Sequence, residues 1–568
     1  MKVSSSTNYF ICLAVFVFWG FFYPNHVLFT EQFSFFLYSA DFWKEFALQP
    51  SGWSAYCGNF LAQFYFTRGT GAMIQTLLLA ALLFTSNRIL LKMKIQGALL
   101  LIGILPAMLL LTLQLNDRFT PGDALALICP FALAWIYMSM EIVWFRRLTF
   151  TLIIVPVYLF CGAVPTCSLY AVCMLYDFFY AKDAWKYGML VLLMAAFFLP
   201  KCWQSVYLTS DSALFKILTV APADEVKYVP FIVLAIIPFC ILAVKIFRPQ
   251  RWASVATGKT YFVIGILILA GCGYYLFPKT FSRLHEQKFG MSLSASKNNW
   301  NQILKIAGRI KTPDMHTIYF TNLALAMMGE LPQKMFQYPQ QDISGLLMPR
   351  MLNDYTTLQY GSEFYYRIGI LNEAMHWIFD ANIERAGGMD YLTLTRLAAW
   401  NKENGYEQVA AKYFDVLRKT LRYRAWAKRK QKTLATRKAE NRYPQTEFFV
   451  GGREPIIDFA YHFENNPDNS MLLDYLLCCL LIKIDLPRFL SVFNDYYSDK
   501  PMKLPQTYQE ALLLLADMGK VDVRNYPVEK IIEERYRSFK ALAARNNHAE
   551  LKKRFVNTWW WYFYSHQK

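Results

Sequence analysis

Three carboxylates, Glu31, Asp41 and Glu45, sit between the first two apolar runs of the chain. If the stretch from Thr30 to Leu48 forms one helix with Thr30 as its N-cap, Glu31, Tyr38, Asp41 and Glu45 fall within about 80° of each other around its axis. The rest of its surface is largely aromatic, with Phe33, Phe35, Phe36, Phe42, Trp43 and Phe46. Such a helix is expected to lie in a membrane interface and to show one narrow acidic stripe. A partly buried carboxylate there has its pKa pushed toward neutrality and can act as general base on an acceptor hydroxyl. The same stripe also suits the wetted side of an interfacial helix that does no chemistry. Glu31 ranks first as catalytic residue: at a helix N-terminus its charged form gains roughly 0.3–1 kcal/mol. Asp41 and Glu45, one turn apart, are expected to orient an acceptor or steer a metal, and Arg68 and Arg118 to clamp a phosphate. No cofactor follows from the sequence.

These residues need a scaffold, and the charge distribution says which kind. Residues 1–280 hold 19 Lys and Arg and 11 Asp and Glu, whereas residues 281–568 hold 40 and 30. Hydrophobic residues make up 55% of the chain and charged ones 18%, below the ~25% of soluble domains. That excludes a disordered chain and a disulfide-rich mini-scaffold. We expect a membrane domain over 1–278 and a soluble domain over 279–568. Nine apolar spans are expected, at 8–24, 72–87, 96–115, 124–145, 149–165, 166–180, 187–204, 228–247 and 260–278. The stretch 149–180 would reach about 48 Å as one helix, too long for a single crossing, and Gly162 and Pro165 mark its break. Arg88, Lys92 and Lys94, then Arg146 and Arg147, Lys182 and Lys186, and Lys245 to Lys259 fall in alternate connections. By the positive-inside rule these face the cytoplasm, with the N-terminus, and the soluble domain lies outside. The first span is expected to be retained rather than cleaved as a signal peptide. Ionisable residues occur only near span ends; Asp177 is expected to snorkel or pair near Lys182.

The soluble half reads as helices near 298–311, 314–329, 344–353, 362–386, 389–404, 406–440, 471–483, 487–498, 506–518, 528–545 and 547–564, without alternating runs. Helix pairs in series suggest a solenoid. Residues 418–442 carry 11 Lys and Arg against one Glu. Outside a membrane this predicts lipid head groups, polysaccharide or acidic protein as partners, or simply a solvated helix, and nucleic acid is not expected. The aromatic end, Trp559-Trp560-Trp561-Tyr562-Phe563-Tyr564, either docks on a membrane interface or closes the solenoid. The seven His are scattered without metal spacing, and Cys478-Cys479 is an unsuitable pair for a disulfide. Phosphate-loop, dinucleotide and zinc-protease patterns are missing from the sequence.

A many-span domain whose first external loop bears acidic residues on an interfacial helix resembles the GT-C class of polyprenyl-phosphate-dependent glycosyltransferases. That resemblance implies a catalytic acid in this loop and a lipid-phosphate sugar at the outer face. It covers 1–278 in architecture, and no Asp-x-Asp is present. Residues 406–417 (YEQVAAKYFDVL) look like the second helix of a tetratricopeptide repeat, and 322–329 (NLALAMMG) like the end of a first helix, so the tail is TPR-like. Glu31-Gln32, Pro50-Ser51-Gly52-Trp53, Asn59 to Phe64 and Asn466-Pro467-Asp468-Asn469 resemble an uncharacterised family of bacterial inner-membrane proteins with a helical-repeat tail. The expectation is therefore an all-α, multi-pass protein of a bacterial plasma membrane. Three functions remain open: a glycosyltransferase using a lipid-phosphate sugar, a scaffold that gathers periplasmic or envelope proteins, and a facilitator. Membrane lipid is a partner in each.

Overall fold

Proline, glycine and hydroxyl caps set the ends of the first helices. The computed structural model describes residues 5–180, 185–202, 226–247, 255–348, 354–384, 389–433, 455–497 and 503–566. All regular elements among them are helical. Two compact units emerge, Met1–Glu286 with Val416–Ala425, and Gln287–Asp415 with Trp426–Lys568.

In the first unit, α1 (Ser5–Val17) continues through a π-helical turn, Phe18–Phe22. Pro24 then starts α2 (Pro24–Phe33), where its fixed φ suits a first helical position. The chain bends by 77° there. The single helix expected over 30–48 is not formed. Helix α2 ends at Ser34, and Ser39 caps α3 (Ala40–Ala47) by accepting the Phe42 N–H at 3.3 Å. Thr30 is no N-cap; its hydroxyl donates to the His26 carbonyl. The break lets Phe36 leave the helical path and pack, fully buried, against Phe42, Tyr56 and Phe60. Burying that ring outweighs the few hydrogen bonds of a continuous helix.

Helix α4 (Gly52–Ala62) follows a turn in which Ser51 is left-handed, at φ 61°. Thr67 caps α5 (Arg68–Lys92), and α6 (Leu105–Gln114) follows a 3-10 segment, Gly97–Ile104. Thr120 and Asp123 form a capping box at the start of α7 (Pro121–Ser139). Gly58 of α4 and Gly122 of α7 let two backbones touch: a Cβ on Gly58 would stand 2.1 Å from the Gly122 nitrogen. Next come α8 (Val143–Leu152), α9 (Ile154–Cys161), α10 (Ala163–Tyr180) and α11 (Trp185–Cys202). Gly162, at φ 85°, separates α9 from α10, at the break expected there. Asp177 accepts from the Tyr137 hydroxyl and pairs with Arg146 at 3.4 Å. The expected neighbour Lys182, the end of the span expected at 187–204 and residues 434–442 of the basic run lie outside the described residues.

Five helices among the described residues are long and apolar enough to cross a membrane: Arg68–Lys92, Pro121–Ser139, Ala163–Tyr180, Val229–Phe247 and Val263–Ser296. Two bent pairs, at the first loop and at α8–α9, would raise this to seven, and Leu99–Gln114 and Tyr187–Leu199 are shorter apolar helices. The stretch Val263–Ser296 joins two helices, Val255–Thr280 and Arg283–Ser296, which part at Phe281-Ser282, and the first alone, about 39 Å long, exceeds a ~30 Å core. Arg283, Glu286 and Lys288 therefore lie past its apolar part.

The second unit is one extended helical core. The stretch expected as one helix at 362–386 is two, Tyr355–Arg367 and Leu371–Glu384, divided at Gly369 with φ 87°. Likewise Lys530–Ala544, His548–Phe555 and Trp559–His566 form its end. Glu363 is buried between Arg367 and Arg396, at 2.5 and 2.6 Å. The aromatic end closes this unit. Trp559 and Trp560 are fully buried, with ring N–H groups donating to the carbonyls of Leu481 and Glu510. The Glu510 carboxylate accepts the Trp559 backbone N–H at 2.7 Å. Burial pushes the Glu510 carboxyl up to about 7, against the pull of Gln506 and of that N–H. The folded form thus keeps a proton that the unfolded chain has released, so stability falls as pH rises from the ordinary glutamate range through about 7. Across that window we expect a loss of about 3 kcal/mol. Glu510→Gln should flatten this slope in thermal unfolding between pH 5 and 8; an unchanged slope would assign it elsewhere.

Candidate functional site

Helix α2 carries a carboxylate arrangement at each end. At its start, Glu286 accepts the free backbone N–H groups of Asn25 and His26 at 2.8 and 2.9 Å. These are donors that a helix N-terminus leaves unmet, and the helix dipole favours the negative charge there. Tyr23 donates to the Ser282 carbonyl at 3.0 Å. The His26 ring lies 3.1 Å from the Gln114 carbonyl, and Gln114 donates to the Gln75 carbonyl. Burial lowers the His26 imidazole to about 4, against Asp117 and the Gln114 carbonyl, so the ring is neutral at pH 7 and Nε2–H is the donor. Burial also lifts the Glu286 carboxyl to about 7, opposed by the two N–H groups and by the positive charge of Arg68.

Near the other end of α2, Glu31 is only 2% exposed. Its Oε1 lies 2.9 Å from Arg422 Nη1, and the Tyr423 hydroxyl donates to its two oxygens at 3.3 and 3.4 Å. The Arg422 guanidinium sits 5.2 Å from the Phe66 ring centre and 5.4 Å from that of Tyr423. These partners come from Val416–Ala425, the segment grouped with the first unit. Its backbone is tied in where the Tyr38 N–H donates to the Lys419 carbonyl at 3.0 Å. Burial raises the Glu31 carboxyl, and Arg422 and Tyr423 pull it back only in part. The Arg422 side chain is 44% exposed, so one side of the guanidinium faces solvent. A buried proton acceptor thus stands beside a cation that an anion can reach.

The other expected site residues do not join it. Asp41 and Glu45 are exposed on α3, and Asp41 pairs with Lys44 at 2.9 Å, which holds its carboxyl below the usual range. The single acidic stripe is therefore divided, because α2 and α3 are separate helices. Arg68, exposed at the start of α5, acts on Glu286 rather than Glu31. Arg118 is exposed, with its backbone N–H on the Asn116 side chain. Among the described residues, no three His, Cys, Asp or Glu converge as metal ligands. Sequence reasoning missed Arg422, Tyr423, His26 and Glu286. Pro24-Asn25-His26 and His285-Glu286, each just past an apolar run, were a signal for the last two.

No curated protein and no solved structure matches the chain. A family model does match, over residues 1–566, and the chain belongs to that family, DUF6057, a family of unknown function.

Proposed function

We propose that this protein is a multi-pass membrane glycosyltransferase of the GT-C kind, which moves a sugar from a polyprenyl-phosphate donor to an acceptor hydroxyl. The observation that carries this reading is the buried Glu31 carboxylate beside a half-open Arg422. In the proposed step Glu31 takes the hydroxyl proton as the acceptor oxygen bonds to the anomeric carbon. The bond from that carbon to the phosphate oxygen breaks, and the lipid phosphate leaves with the electron pair, its charge met by Arg422. The bilayer supplies the donor, and the bacterial plasma membrane is the expected location. Nine crossings would place the N-terminus in the cytoplasm and the TPR-like array outside, in keeping with the Lys and Arg loops. The test is Glu31→Gln, scored by membrane abundance and by mass spectrometry of lipid-linked sugars and glycans. Normal abundance with product lowered at least tenfold, about 1.4 kcal/mol of barrier, supports the transferase. Normal abundance with unchanged glycan removes Glu31 from any chemistry.

One observation favours a second reading. Glu31 has both oxygens occupied by Arg422 and Tyr423. That suits a clamp holding Val416–Ala425 in place within a non-enzymatic envelope scaffold, whose helical array would gather partner proteins. On that reading Glu31→Gln changes abundance and leaves the glycans alone.

A further inference from the structure

A cavity of about 460 Å³ opens beside α1 and α5, near the end of α5 that carries Arg88 and Lys92. Its volume falls in the ~300–1,000 Å³ range of small-molecule sites. Arg88 is 20 residues from Arg68, about 30 Å along α5, so this cavity and the α2 cluster near Arg68 lie toward opposite ends of the unit. Most of its wall is apolar, with Leu83, Leu91 and Leu100. Its polar lining comprises Asn8, Asn87 and Arg88, with Tyr9 and Cys12. The side-chain oxygens of Asn8 and Asn87 are buried and have no hydrogen-bond partner. Both side chains line the cavity while their oxygens lie closed off just behind its wall, and because buried polar atoms are normally satisfied, a side-chain rotation that turns these acceptors into the cavity would find donors there. Gly103 backs the second of them: a Cβ there would stand 2.1 Å from Asn87 Oδ1. The Arg88 guanidinium rests over the Phe84 ring at 4.8 Å and faces solvent.

We propose that this cavity binds a glycerophospholipid whose head group joins a phosphodiester to free hydroxyls, with phosphatidylglycerol as the simplest case. The phosphodiester meets Arg88, the glycerol hydroxyls donate to the asparagine oxygens after a small side-chain adjustment, and an acyl chain lies along the leucines. A choline head group has no hydroxyl to donate, and a polyprenyl phosphate has an anion but no glycerol. The site is independent of the transferase reading, since it uses none of the residues around Glu31.

The experiment is native mass spectrometry of the purified full-length protein. Detergent micelles are doped with phosphatidylglycerol, phosphatidylcholine of the same acyl chains, or a polyprenyl phosphate. Wild-type protein should retain phosphatidylglycerol at least about fivefold over phosphatidylcholine, and any polyprenyl phosphate retained, which the transferase reading places at Arg422, should be unchanged by substitutions in this cavity. Arg88→Gln should lower that retention about tenfold, as loss of one charge-assisted contact does. Leu91→Trp, which fills the cavity from a half-exposed position, should do the same. Both positions face outward enough to spare the core, and Glu31→Gln should bind like wild type. Equal retention of phosphatidylglycerol and phosphatidylcholine, polyprenyl phosphate lost together with phosphatidylglycerol in the cavity variants, or wild-type retention of phosphatidylglycerol in both cavity variants would overturn the assignment.

Discussion

Replacing Arg422 by methionine is expected to cost the first unit about 3 kcal/mol, the low end of the ~3–5 kcal/mol range for one-sided loss of a buried pair. The low end applies because Arg422 keeps one side in water while Glu31 does not. The loss arises less from the missing attraction than from a nearly buried carboxylate left charged, with the Tyr423 hydroxyl as its remaining described partner. Glu31→Gln combined with Arg422→Met should therefore recover most of the loss, since a neutral amide can still accept from Tyr423. The pH dependence has a definite sign. Burial already raises the Glu31 carboxyl, and removing the guanidinium raises it further. The Arg422→Met penalty should be larger at pH 8 than at pH 5, because a carboxyl raised in this way takes up its proton sooner as pH falls. Thermal unfolding of the detergent-solubilised chain at the two pH values is the measurement. A penalty equal in the single and double variants would mean that Arg422 contributes packing over Phe66 and not charge.

Features set by neighbours in sequence were legible beforehand. The break at Gly162 depends on residues within a few positions. The charge step near residue 280 likewise follows from composition. What escaped were pairings over distance. Tyr423 reaches Glu31 from 392 positions away, and no local pattern encodes that meeting. Glu286 reaches His26 from 260 positions away. Arg146 on α8 and the Tyr137 hydroxyl on α7 reach Asp177 from 31 and 40 positions away. The helix expected over 30–48 failed for a related reason. Its aromatic content was read as an interfacial face, whereas one of those rings, Phe36, has a packing site on α4 that a continuous helix could not reach. Propensity yields to burial of a large ring in such a case.

Trp559→Ala is expected to cost the second unit about 3–5 kcal/mol, as for other buried Trp or Phe truncations. The residue is fully buried, and its ring N–H donates to the Leu481 carbonyl at 3.1 Å, so truncation both empties space and removes one of the two hydrogen bonds to that carbonyl, the Ile484 N–H remaining. Its backbone N–H also holds the buried Glu510 carboxylate, which links this helix to the helix Gln506–Asp517. A shifted backbone there would weaken a second contact at once, so the change should behave as release of the whole segment Trp559–His566. Trp561 supplies the control. It is only half-buried on the same helix, and Trp561→Ala should cost about 1 kcal/mol or less, near the middle of ordinary single substitutions. Limited proteolysis of the full-length protein in micelles reads both: Trp559→Ala should expose the C-terminal helix to cleavage, and Trp561→Ala should not. The comparison also separates the two uses the sequence allowed for these rings. Docking on a bilayer would make the outward-facing Trp561 the costly position, in a lipid-dependent way, whereas closure of a helical array makes it Trp559, in detergent and bilayer alike.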